Sequence, residues 1–125
     1  MDALKAFAPL AHWLPRFALA AIFGYHSYPK LVDSVATGEA MELAGPVVLG
    51  LGVVEILCAA LILYGGTGAE WATQIAGLVF AALMGFAILT VHANYGWNSV
   101  GNLGMEFQVL IAAVSLYFAF RGNDA

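Results

Sequence analysis

Apolar residues fall in four long blocks along the chain, at residues 10–32, 44–64, 71–92 and 103–121. A helix needs about 20 such residues to cross the hydrocarbon core of a bilayer. The stretches between the blocks are punctuated as loops. Residues 33–42 (DSVATGEAME) are polar and suit a short surface helix. Gly45-Pro46 opens the second block, where proline is tolerated in a first helical turn. Gly65-Gly66-Thr67-Gly68 predicts a tight turn. It is not a phosphate loop, since no strand precedes it and no Lys follows. Residues 94–102 form a Gly/Asn loop, and Trp13, Tyr64, Trp71 and Trp97 sit near block ends, where amphipathic rings favour a membrane interface. The pattern predicts an all-α protein: one domain over residues 1–125, built as a four-helix transmembrane bundle.

Composition narrows the class further. Hydrophobic residues make up 62% of the 125 and charged residues 10%, against about 25% charged in soluble domains. Mean hydropathy is +0.87. Disorder is excluded, because disordered chains are polar and charged. Cys58 has no second cysteine to pair with, which excludes a disulfide scaffold. Four Lys and Arg and a net charge of −4 leave no basic patch for nucleic acid.

Four spans put both termini on one side, with Lys5 and Arg121; Lys30 is the only basic residue near the opposite loops. The positive-inside rule then favours cytoplasmic termini in a multi-pass protein of the cell membrane. ALAAIF is too short, and too closely followed by polar residues, to read as the core of a cleaved secretory leader.

The chemistry lies in residues that a bilayer disfavours. Arg16, His26, Glu55, His92 and Glu106 fall within or at the rim of the apolar blocks. A charge at mid-bilayer costs at least about 2.5–3.5 kcal/mol, so such groups turn inward, pair or mark a pathway. At about 100° per residue, Arg16, Phe23, His26, Ser27 and Lys30 share one face of the first helix. Glu55 shares a face with Gly52, Cys58 and Ala59; His92 projects onto Gly85, Ala81, Gly77 and Gln74; Glu106 aligns with Ala113 and Tyr117. Small residues on a face allow close helix approach. Glu55 lies about 16 Å below the start of its block, level with Ala21 on the first helix, so it could pair with Arg16 from below or His26 from above. His26, Lys30, His92 and Glu106 cluster toward the outer side, which predicts a polar pocket opening to residues 94–102.

Four segments together resemble the DoxX family of small four-span membrane proteins: RFALAAIFGYHSYPKL in the first block, VVEILCAALILYGG in the second, VHANYGW ending the third and GMEF beginning the fourth. They cover nearly the whole chain in the family's order. The family features fall on Arg16, Lys30, Glu55, His92 and Glu106. The C-terminus stops slightly earlier than is usual in the family. Related DoxD proteins are subunits of thiosulfate:quinone oxidoreductase, and other relatives are associated with quinone or thiol redox stress. The resemblance thus implies a quinone-linked redox membrane subunit, with quinone as the cofactor and a membrane or peripheral redox protein, or a second copy, as partner.

Each residue also has a plainer role. Glu55 could serve as a proton-exchanging carboxylate or as half of a structural ion pair. His26 and His92 come from different helices, which would permit haem or metal; zinc wants about four ligands, and there is no H-E-x-x-H or C-x-x-C. Glu106 suits the positive end of a helix dipole, and Arg16 and Lys30 could snorkel to headgroups. Cys58 reads as a small inert residue, and Phe80, Phe86, Phe107, Phe118 and Phe120 as packing or lipid-facing side chains. The leading expectation is a polar intramembrane pocket for a quinone headgroup, formed by Arg16, His26, Glu55, His92 and Glu106. The rivals are a non-catalytic subunit of a larger membrane complex and a small transporter or channel, although four spans leave little room for a pore. No flavin, iron–sulfur or nicotinamide motif is evident, which places any such centre on another chain.

Overall fold

The computed structural model describes residues 2–124. Among them there is no strand. Four long helices dominate: α2 (Trp13–Val32), α4 (Gly45–Gly65), α5 (Glu70–Thr90) and α6 (Glu106–Arg121). Two shorter ones complete the set, α1 (Asp2–Lys5) and α3 (Ser34–Met41). All four apolar blocks are therefore helical, with shifted ends. The first becomes an α-helix only at Trp13, after a 3-10 turn at Ala8–Leu10. The third stops at Thr90, and His92 begins a separate 3-10 turn, His92–Tyr95. The fourth begins at Glu106, because the N–H groups of Met105 and Glu106 turn back to the carbonyls of Gly96 and Trp97. Residues 33–42 do hold a surface helix: the Asp33 carboxylate caps α3 by accepting the Ala36 N–H at 3.0 Å.

The long helices pack in chain order, α2 on α4, α4 on α5 and α5 on α6, while α2 and α6 barely touch. Leu19, Phe23, Cys58, Ile62, Phe80 and Phe118 anchor the core, with Phe23 and Phe80 stacked at 3.8 Å between ring centroids. The inward faces of α2 and α4 are the predicted ones. Arg16, Phe23, Ser27 and Lys30 are buried on α2, but His26 is exposed. Gly52, Glu55, Cys58 and Ala59 are buried on α4.

The predicted face of α5 holds only at Gly77, which is buried close against α6, and the predicted face of α6 is wrong. α5 buries Ala72, Thr73, Ala76, Gly77 and Phe80, leaving Gln74 exposed. α6 buries Ile111, Ser115 and Phe118, leaving Ala113 and Tyr117 exposed. The cause is the residue chosen to set the phase. His92 lies beyond the end of its helix, and Glu106, in the first turn of α6, projects about 150° from the buried face.

Apolar surface dominates the outside. Leu14 is 73% exposed and Phe120 77%, and Leu57, Leu78 and Leu110 also point outward from their helices. Helices α4 and α5 are each long and apolar enough to cross a membrane, yet only 33% and 28% of their apolar windows are buried inside the protein.

Candidate functional site

A helix tilts its side chains toward its own N-terminus, and this fixes where the cations of α2 can reach. Lys30, near the C-terminal end, points down the bundle. Its Nζ donates to the His26 carbonyl at 2.8 Å and to both oxygens of Glu55, at 2.9 and 2.7 Å. The ammonium has three protons and three acceptors. Both residues are buried, so the ion pair is shielded from solvent. Gly52 permits the approach: a Cβ there would lie 2.8 Å from Lys30 Cβ.

Arg16, near the other end of α2, tilts away from Glu55. The expected Arg16–Glu55 pairing is therefore absent, and Arg16 is no part of the pocket. About 21 Å of helix separates it from Lys30. Its guanidinium, 0% exposed, donates to the Ile62 carbonyl and Thr73 Oγ1, both at 2.8 Å. It also donates to Asn123 Oδ1 and His12 Nδ1, both at 3.1 Å. Thr73 Oγ1 in turn donates to Asn123 Oδ1 at 2.7 Å, and the Phe118 ring lies 4.6 Å from Arg16 Cζ. Burial, and then the neighbouring Arg16 charge, hold the His12 imidazole below the usual histidine range.

The depth estimate for Glu55 also needs correction. Lys30 stands beside Gly52, so Glu55 is level with about Ser27, nearly two turns closer to the C-terminal end of α2 than Ala21. Helix α4 rises past the end of α2, with α3 packed against it. Depth measured from the start of α4 therefore overstates the distance from the bundle's upper edge.

Beside the Lys30–Glu55 pair is a cavity of about 230 Å³. His26, Lys30, Glu55, Thr90, His92 and Gln108 supply its polar lining. Phe23, Met84, Phe86, Phe107 and Ile111 form much of its apolar wall. The four long helices and Met41 of α3 thus contribute, and the cavity fills the gap where α2 and α6 barely touch. Of the expected residues, His26, Glu55 and His92 converge here. His92 Nδ1 lies 2.7 Å from the Leu103 carbonyl, tying the 3-10 turn to the following loop.

Glu106 faces a shallower groove that shares His92, Phe107 and Gln108 with the cavity. Its Oε1 accepts the Ser99 N–H at 2.8 Å, so it braces the loop from the first turn of α6. Sequence reasoning left Gln108 out. A glutamine two residues into an apolar helix was the available signal. Its Oε1 is buried with no hydrogen-bond partner. Among the described residues, no three His, Cys, Asp or Glu side chains converge as a metal site. Compared with known proteins, the chain matches no family model, no curated protein and no solved structure.

Proposed function

We propose that the chain is a four-span integral membrane protein of DoxX type, with cytoplasmic termini, and that its upper cavity receives a quinone headgroup. The carrying observation is a buried Lys30–Glu55 ion pair in the wall of a cavity of about 230 Å³. An apolar cavity of about 150 Å³ can hold benzene, whereas drug-sized ligands need roughly 300–1,000 Å³. The volume therefore suits one substituted six-membered ring. Apolar walls carrying a few polar groups suit a ring whose oxygens need partners. Apolar residues over the outer surface, Leu14 and Phe120 among them, support immersion in lipid.

In this reading Glu55 and His92 are the groups able to exchange a proton with the ligand. Arg16 and Glu106 are positioning residues, one fixing the bundle's lower end and the other the loop. Electrons would pass to or from a partner chain, a membrane or peripheral redox protein. The rival reading, a non-catalytic subunit, draws on Lys30, whose protons are already satisfied within the protein. A calorimetric titration of the detergent-purified protein with a short-chain benzoquinone and its hydroquinone decides between them. Saturable binding, lost in Glu55→Gln and His92→Ala variants that still fold, is the expected result. No binding of either redox form overturns the quinone reading in favour of the structural one.

A further inference from the structure

We infer that the cavity selects the hydroxyl-bearing, reduced form of its ring ligand over the carbonyl-bearing oxidised form. This rests on the quinone reading above, but it follows from hydrogen-bond polarity. The Leu103 carbonyl can only accept, so His92 Nδ1 must carry the proton it shares at 2.7 Å. In the neutral ring, that leaves Nε2 as an acceptor. Gln108 also lines the cavity, and its Oε1 is a buried acceptor with no donor. The Glu55 carboxylate accepts only.

The donors in the same wall are already used. All three Lys30 protons are taken by Glu55 and the His26 carbonyl, and Thr90 Oγ1 donates to the Phe86 carbonyl at 2.8 Å. The donors left over are the Gln108 amide group and the exposed His26 ring. Among the groups lining the cavity, His92 Nε2 and Gln108 Oε1 are the acceptors left without a donor. A hydroquinone brings two O–H donors to this array, whereas a quinone brings only further acceptors. An unmet buried acceptor is costly, so filling it favours the form that donates.

The test is anaerobic calorimetric titration of the detergent-purified full chain with three probes. They are a short-chain benzoquinone, its hydroquinone, and the dimethyl ether of that hydroquinone, which keeps the shape and lacks the O–H groups. The expected result is hydroquinone binding about tenfold tighter than either other probe, as one or two added hydrogen bonds would give. His92→Asn keeps a side-chain N–H for the Leu103 carbonyl and removes the Nε2 acceptor. That variant is expected to lose most of the preference while retaining its fold. Gln108→Met, which removes the other acceptor, is expected to reduce it independently. Quinone or ether binding as tightly as hydroquinone overturns this selectivity and leaves the pocket standing. A preference unchanged in both variants overturns the assignment to these two acceptors. Failure of every probe to bind overturns the pocket and the selectivity together.

Discussion

Both ends of the inward stripe on α2 carry a buried cation, and the bundle accommodates them in opposite ways. At the lower end, Arg16 meets only neutral acceptors, drawn from the N-terminal segment, α4, α5 and the 3-10 turn that follows the last α-helix. At the upper end, Lys30 meets a carboxylate, and the helices leave a cavity beside the pair. The lower cluster joins α2 to four other segments of chain and is fully buried at Arg16. The upper pair joins two helices and borders open volume. A buried charge is therefore a poor guide to chemistry by itself; the space and the unmet hydrogen-bonding groups beside it make the difference.

The largest expected effect comes from splitting the upper pair. Lys30→Met leaves Glu55 buried without its counterion, at an expected cost of about 3–5 kcal/mol. Adding Glu55→Met should recover most of that loss, because replacing both buried charges by apolar side chains is often neutral or better. Denaturant unfolding in detergent measures both. A double variant as unstable as Lys30→Met would show that the pair does more than neutralise itself.

Arg16→Met should cost somewhat less, about 2–4 kcal/mol, by orphaning the Ile62 carbonyl and removing the tie to Asn123. Here no second substitution can restore stability simply, since the partners include backbone. Ligand binding by the folded fraction should be unchanged, because Arg16 lies about 21 Å along α2 from Lys30 and about 16 Å below the level of Glu55. Binding lost in proportion to Arg16 removal would break the separation of the two ends.

Helix α5 shows the same contrast on a smaller scale. A Cβ at Gly77 would lie 2.5 Å from the Ser115 carbonyl of α6 and 2.7 Å from the Ala119 nitrogen, whereas one at Gly85 would meet nothing within 4 Å. Gly77→Ala should therefore destabilise by about 1–3 kcal/mol through overpacking, whereas Gly85→Ala should be neutral or stabilise by up to about 1 kcal/mol. Equal effects in thermal unfolding would mean that the close α5–α6 contact is not where these helices are held.

The four helices were legible in the chain because runs of apolar residues and Gly/Pro punctuation are local signals. So was the inward stripe of α2, since Arg16 and Lys30 both lie inside a regular helix. The partner of Glu55 was not legible. That pairing depends on side-chain tilt toward the N-terminus and on how far α4 rises past α2, and spacing along the chain reports neither. The face of α6, and that of α5 apart from Gly77, was not legible for a related reason. A conspicuous polar residue at a helix end can belong to the adjoining loop, as the Glu106–Ser99 and His92–Leu103 hydrogen bonds show. Gln108 went unnoticed because it carries no charge, and its significance lies in the partner its oxygen lacks.

The smallest expected effect is a pH dependence at the lower end. His12 precedes α2 and accepts the Arg16 Nε–H through Nδ1, which requires that nitrogen to be unprotonated. Its pKa is held below the usual histidine value of 6.5, by burial first and by the Arg16 charge second. As pH falls through 6.5, the unfolded chain takes up a proton that the folded chain resists, so unfolding becomes more favourable. The contribution of His12 is thus complete above that value. It fades as pH drops toward the lower folded-state pKa. Unfolding midpoints at pH 8, 7, 6 and 5 should decline more steeply in the native protein than in His12→Phe. Parallel declines would remove His12 from the Arg16 cluster's energetics and leave Ile62, Thr73 and Asn123 to hold the guanidinium unaided.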